Sequence, residues 1–325
     1  MQTPRGTPPH PRAIRPEDDG SHTAPPDADE YWQESWYLGW YDPARRAAGF
    51  HHLGLQRVRQ RADLWSWIAL DGAVVGKYQN LRLPLPTDDL SDLTLGPLHV
   101  LTKTPLRSYA VSAAYDDGNR SDVLYEAFTD PFAFSLDAGA DIGKDHYESM
   151  GRVTGTVTVA GAETGGLHQP PPTQTEVAGW AYQDHSWGPR HWGMLLSHRW
   201  VWATFGPDLF CSAFSFTTPR GRMDFGYVFD GGEFRGVNRM ETGARVADDG
   251  HSPVGCDARI WTADGRGYRI TGTCEVTSVT SHDEGVFFTD GMSVFECGGR
   301  LGTGIFEVSE LRAPAPWHRT LLGLD

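Results

Sequence analysis

Cysteine is scarce in this chain of 325 residues, and cations are outnumbered. There are four cysteines, and 28 Lys plus Arg stand against 42 Asp plus Glu, for a formal charge of -14. That balance excludes a nucleic-acid surface, which needs clustered cations against phosphate, and it disfavours docking on anionic lipid. No apolar run approaches the roughly 20 residues of a membrane helix, so no membrane insertion is expected. No apolar signal core follows Met1, and a cytoplasmic location is expected. Cys211, Cys256, Cys274 and Cys297 form no C-x-x-C pair and fit no zinc module. They read as reduced, packed thiols. A glycine-rich dinucleotide turn, a P-loop and a G-x-S-x-G elbow are also missing, which removes nucleotide and serine-hydrolase chemistry.

Long amphipathic helices are lacking as well; only Pro43 to Arg59 offers material for a short one. What is present is a series of short alternating runs rich in Val, Thr, Tyr, Phe and Trp, punctuated by Asp-Gly and Gly-Gly. Leu64 to Val75, Arg152 to Gly161 and Met223 to Gly232 each read as a strand meeting a tight turn. The class is therefore all-β, sandwich or barrel. Residues 1–28 are polar and Pro-rich and read as a disordered tail. Gly165 to Thr175 breaks the composition between two strand-rich halves, giving an N-terminal domain at 29–168, a linker at 169–176 and a C-terminal domain at 177–325.

The densest chemistry lies in Gly179-Trp-Ala-Tyr-Gln-Asp-His-Ser-Trp-Gly-Pro-Arg-His-Trp192. On a strand, Trp180, Tyr182, Asp184 and Ser186 share one face, and Gln183, His185 and Trp187 share the other. Without a bulge, Asp184 and His185 cannot meet. Trp192 to Thr204 alternates too, placing Trp192, His198, Trp200 and Trp202 on one face as a wall of a core or ligand cavity. Arg190 and Arg199 are candidates to pair with carboxylates of the other half. An Asp or His in an apolar pocket shifts its pKa and can move protons, while an indole face stabilises developing positive charge. The alternative is structural: Asp184 satisfying backbone N–H groups and His185 a buried carbonyl. Glu34 and Trp36, the His146-Tyr-Glu148 triplet and Glu307 of Gly302-Thr-Gly-Ile-Phe-Glu are further candidates for the same cavity. His185, His191 and His198 share no short-range face, so no metal is expected.

These residues resemble the lipocalin-like superfamily of carotenoid 1,2-hydratases and AttH-type proteins, in the branch that carries D-H-S-W-G-P-R. Trp32-Gln-Glu-Ser-Trp-Tyr37, His146 to Gly155, Arg199-Trp-Val-Trp202 and Gly302 to Glu307 extend the likeness over about residues 30–312. The resemblance implies two tandem lipocalin-like antiparallel β-barrels with few helices, a ligand cavity near their junction, and no metal or organic cofactor. Lipocalin-like cyclases such as fungal Diels–Alderases share that architecture. His185 and Trp187 correspond to positions that the hydratases are thought to use. One departure stands out. Hydratases carry a Tyr-x-Asp about one hairpin later, where this chain has Cys211-Ser-Ala-Phe-Ser215. The acid role then passes to Asp184, Glu34, Glu148 or Glu307.

The combined expectation leans to an enzyme of lyase or isomerase type. It would bind a hydrophobic, isoprenoid- or polyketide-like molecule and carry out acid–base cyclisation, isomerisation, hydration or dehydration of an alkene. Asp184, His185 and Trp187 would be catalytic, and Glu34, Trp36, Glu148, Arg190, Trp192, Trp200, Trp202 and Glu307 would bind the ligand. A monomer or homodimer is expected. A non-catalytic carrier of the same ligand class is the alternative. A carbohydrate-active β protein is a second one, which requires two carboxyls flanking a bond in an open cleft.

Overall fold

Alternation of aromatic or branched residues with polar ones, broken by glycine turns, makes strands almost everywhere. The computed structural model describes residues 10–11, 13–135, 145–161, 171–219, 221–282 and 285–311. The first sheet holds β1 (His10–Pro11), β2 (Trp32–Asp42), β3 (Ala47–Gln56), β4 (Arg61–Leu70), β5 (Ala73–Pro84) and β6 (Asp92–Leu95). It continues with β7 (Leu98–Thr104), β8 (Ser108–Ala114), β9 (Arg120–Ala127), β10 (Phe132–Ser135), β11 (Asp145–Val159) and β12 (Thr173–Pro189). The second holds β13 (Ser197–Thr204), β14 (Leu209–Thr218), β15 (Gly221–Asp230), β16 (Glu233–Val246), β17 (Pro253–Thr262), β18 (Gly267–Ser281), β19 (Val286–Cys297) and β20 (Arg300–Leu311).

The first sheet runs β5-β4-β3-β2-β12-β11-β9-β8-β7-β6, with β10 and β1 branching from β11; β13 to β20 close a barrel in sequence order. Side chains draw the first sheet into a ring. Leu64 and Ile68 of β4 share one buried cluster with Leu93 and Leu95 of β6 at the sheet's other end. Val201, Cys211, Met240, Cys256, Ile260 and Phe306 fill the second barrel. Both lumens are therefore packed with apolar side chains. The outer aromatic faces of the two bodies meet in a third cluster that joins Tyr37, Phe50, Trp65 and Trp67 to Trp200, Trp202, Phe214 and Phe288. Burying an aromatic of this kind is worth roughly 1.5–3 kcal/mol, so this interface is as much a core as either lumen.

The all-β class and the two lipocalin-like bodies agree with the sequence reading, and the four cysteines are free thiols. The turn chemistry also holds: Asp71 and Gly72 both have positive φ, 53° and 82°, as a two-residue hairpin loop between β4 and β5 requires. Four expectations need correction. Pro43 to Arg59 contains strand β3, not a helix, because its small and apolar residues fit a buried sheet centre. The expected tail is partly ordered: residues 13–28 carry a 3-10 turn at Pro16–Asp19, and Asp19 is buried, accepting hydrogen bonds from Leu106 N–H, Tyr109 Oη and Tyr147 Oη. The rest of the tail, apart from residues 10–11, lies outside the described residues. The linker at 169–176 lies partly outside them, and its end is already strand. β12 hydrogen-bonds between β11 and β2 of the first sheet, so the passage to the second body comes after Pro189 rather than near residue 170. Lastly, Trp192–Met194 is a 3-10 turn, and the alternating strand starts only at Ser197.

Candidate functional site

β12 is the strand on which the site is built. Its register is continuous with both neighbours from Trp180 to Trp187, so no bulge intervenes and Asp184 and His185 point to opposite faces. Asp184 faces the second barrel. It stands in a cross-strand row, Glu148–Asp184–Tyr37–His52–Trp65, running over β11, β12, β2, β3 and β4. Opposite it, the barrel presents the row Phe225–Phe214–Trp200–Glu307–Asp290 over β15, β14, β13, β20 and β19. Between the rows lies a cavity of about 100 Å³, smaller than the roughly 300–1,000 Å³ of a drug-sized site, so a ligand of that size enters only as the aromatic walls part.

Aromatic side chains make most of its lining: Tyr37, Phe50 and Trp65 from the sheet, Trp200, Phe214, Phe216, Phe225 and Phe288 from the barrel, with Phe134 and Trp192 beside them. Stacking holds the wall rigid, with Trp200, Phe214 and Phe225 in near-parallel succession at 5.3 and 4.9 Å. The polar groups are Asp184, His52, His146, Ser186, Arg190, His198 and Glu307. Gly304 allows the β13–β20 contact that carries Glu307, because a Cβ there would collide with the Trp202 carbonyl.

Burial pushes the Asp184 carboxyl up to about 7; His146 and Arg190 oppose the shift and Glu148 adds to it. Asp184 is half-buried and lines the cavity. His146 Nε2 lies 2.8 Å from Glu148 Oε1, so Glu148 acts behind the wall through His146. Arg190 is buried and donates to Ser35 Oγ at 2.9 Å and to Ser186 Oγ. No carboxylate pairs with it among the described residues, and its guanidinium lies 5.2 Å from the Trp192 ring. Burial, with Arg190 and His282 nearby, drops His52 to about 3, leaving it neutral.

The reverse face of β12 is a different place. His185 Nε2 lies 3.1 Å from Glu34 Oε1, His22 Nδ1 lies 2.8 Å from the same oxygen, and Arg57 donates to Oε2 at 2.8 Å. Burial raises the Glu34 carboxyl, but the bonds from His185 and His22 and from Arg57 outweigh it and hold the group far below the carboxylate range. Trp187 stacks on His22 at 3.8 Å, and Trp36 packs edge-on to Tyr109 in the first lumen. His22, Glu34 and His185 have ligand atoms within 4.8 Å of one another and so have the makings of a cation site. Both Glu34 oxygens are already engaged by donors, however, and the group acts as a clasp on the N-terminal segment.

Of the residues expected at one site, the structure thus gathers Asp184, Arg190, Trp192, Trp200 and Glu307 on the cavity wall. Glu148 stands behind that wall, and Trp202 lies deeper, stacked on Tyr182 at 5.7 Å. His185, Trp187, Glu34 and Trp36 belong to the reverse face, as strand alternation requires. Arg199 pairs with Glu310 on the neighbouring strand at 2.8 Å, not with the other half. Sequence reasoning missed Phe50, His52, Phe134, Phe214, Phe216, Phe225 and Phe288. The available signal was the alternation Phe214-Ser-Phe216, in register with Trp200 and His198.

Two filled lipocalin-like bodies with a buried, aromatic, titratable cavity between them define the class of protein. The chain belongs to the family described as a domain of unknown function, DUF7064, whose sequence profile matches residues 15–312. No curated protein matches it in sequence. Among solved structures, an AttH-assigned protein from Nitrosomonas europaea superposes with a TM-score of 0.64 at 16% identity, covering 94% of this chain and 100% of that one. Kievitone hydratase from Nectria haematococca gives 0.60 at 12%, covering 86% and 89%. CghA gives 0.59 at 12%, covering 88% and 89%. These likenesses, at 12–16% identity, establish that the chain shares the fold of these proteins.

Proposed function

We infer that the protein is an enzyme that binds a hydrophobic small molecule between its two bodies and moves a proton onto or off an alkene, as a hydro-lyase, isomerase or cyclase. The observation that carries this reading is Asp184: a carboxyl brought to about 7 on the wall of an aromatic cavity. Half protonated near neutrality, it is suited to general-acid work, which typically contributes 10²–10⁴-fold. Its O–H proton would pass to an alkene carbon, and the adjacent carbon would become cationic. The faces of Trp65 and Trp200 stabilise such a charge. Water addition, or loss of a neighbouring proton, completes the reaction; run backwards, it is dehydration. Arg190, a buried cation held by two hydroxyls, would hold a polar end of the ligand. That kievitone hydratase shares the fold supports the reading without fixing the substrate. An isoprenoid- or polyketide-like skeleton matches the lining. A carbohydrate ligand matches it less well, because the walls are mostly aromatic rather than rows of hydrogen-bonding groups.

The test is incubation with apolar alkenes and alkenols in D₂O, read as deuterium incorporation by mass spectrometry, beside native mass spectrometry of co-purified ligand. The reading expects incorporation that Asp184→Asn abolishes with ligand binding retained. Binding without incorporation in the wild-type protein would make it a carrier.

A further inference from the structure

Asp184 is not the only carboxyl at this cavity. On the barrel wall, the β19–β20 register sets Asp290 directly opposite Glu307, and the two are 0% and 6% exposed. Cross-strand partners of this kind bring their Cβ atoms within about 5.5 Å, and two carboxyls in contact do not both ionise readily. Burial, with the Glu307 carboxyl beside it, drives Asp290 far above the carboxylate range. Glu307 accepts from Ser309 Oγ and lies 2.8 Å from His198 Nδ1. His198 is fixed by Phe216, its ring centroid 4.4 Å away. The other groups that face the pair are Lys77 of β5, which attracts Asp290, and Tyr37 of β2, which feels Asp290, Glu307 and Asp184 together. Glu307 and His198 line the cavity; Asp290 stands behind them.

We propose that Asp290 and Glu307 hold one proton between them, and that His198, backed by Glu307, is a second proton-transfer group acting on the same ligand as Asp184 from the facing wall. Asp290 is the positioning residue of this trio, and the proposal rests on the reading of the cavity given above. In an isomerisation, the Asp184 O–H bond breaks and its proton forms a C–H bond with one alkene carbon, leaving a carboxylate and a cation. The His198 imidazole then removes a proton from the carbon beyond the cationic centre, and that C–H electron pair becomes the new double bond. The enzyme is left with ionised Asp184 and protonated His198, and exchange with solvent restores both. In a dehydration the same acid protonates a hydroxyl that leaves as water, and the same base takes the neighbouring C–H proton. The substrate class is therefore an alkene or alkenol that gains a proton on one side and loses one on the other. A ring closure that moves no proton would need neither group.

The experiment is a carbon-13 NMR titration of the full chain with carboxyl-labelled Asp and Glu, from about pH 5 to about pH 9, repeated with farnesol as an apolar alkenol probe. In the wild-type protein, the Asp290–Glu307 pair should keep one proton across this range. In Glu307→Gln, Asp290 should titrate at least about one pH unit lower. Farnesol should move the Asp184 and Glu307 signals together. Both carboxyls ionised at neutral pH would overturn the proposal, and this wild-type measurement depends on no variant folding. A farnesol response at Asp184 alone would also overturn it, while leaving the cavity reading intact. A response at neither would sink both.

Discussion

Two carboxyls lie one strand apart on β12 and β2, Glu34 fully buried and Asp184 half-buried on the cavity wall, and their protonation runs in opposite directions. Glu34 is ringed by His22, His185 and Arg57 and is held ionised. Asp184 faces aromatic rings, with Glu148 adding to its burden, and is pushed up to about 7. Loss of water thus leaves a structural ion in one case and, on the reading proposed above, a proton donor in the other. The difference is how many donors each carboxylate oxygen is offered. A buried charge with full partners fastens the fold; one with few partners is available for chemistry.

The comparison can be broken most forcefully at Asp184. Asp184→Asn should lower turnover in the deuterium assay by about 10²–10⁴-fold and leave ligand affinity and circular dichroism unchanged; retained turnover would remove the acid from the wall. Glu34→Gln should act on stability instead. It leaves Arg57 and two imidazoles facing a neutral amide, with an expected loss of about 3–5 kcal/mol in urea unfolding and little change in ligand affinity. The two sites should also respond oppositely to pH. Asp184 has a folded pKa above its unfolded value, so its contribution is complete below about pH 4 and is lost as pH rises through about 7. The full loss is on the order of 4 kcal/mol, spread between about pH 4 and pH 7 and visible as a fall in melting temperature over that range that Asp184→Asn lacks. Glu34, lowered in the folded state, gives stability above the usual carboxylate range that disappears in acid, and Glu34→Gln should flatten that acid limb. The smallest effect is expected at half-buried His22. His22→Ala removes a stacking partner of Trp187 and one Glu34 contact, for about 1 kcal/mol. It should speed proteolysis within residues 13–28 while leaving the cavity untouched.

Much of this was legible in the sequence. Period-two alternation split Asp184 from His185, and the same argument separates His51 from His52, of which only His52 reaches the cavity. Turn residues marked the hairpins, and the aromatic wealth anticipated the cavity. The rest depended on pairing. Glu307 joins Asp184 only because β20 pairs with β13 across a barrel closure more than a hundred residues long, which no local pattern encodes. The place of β12 was misread for a related reason. A Pro-rich break resembles a boundary, yet the strand after it returns to the first sheet, and hydrogen-bond partners rather than composition decide membership. Residues 13–28 are tied to the fold through single residues, Asp19 and His22, whose buried partners are invisible in a polar stretch.

That both lumens are packed with apolar side chains has a consequence for how such a protein can change. A single lipocalin-like barrel that keeps its ligand inside must alter its own core whenever it alters its taste. Here the cavity is a seam between two finished bodies, walled by the outward faces of strands whose inward faces already carry the fold. Residues such as Phe216, Phe288 or His52 can therefore vary without unpicking either lumen. Inheritance of the scaffold and invention of new chemistry are kept on opposite sides of the same strands.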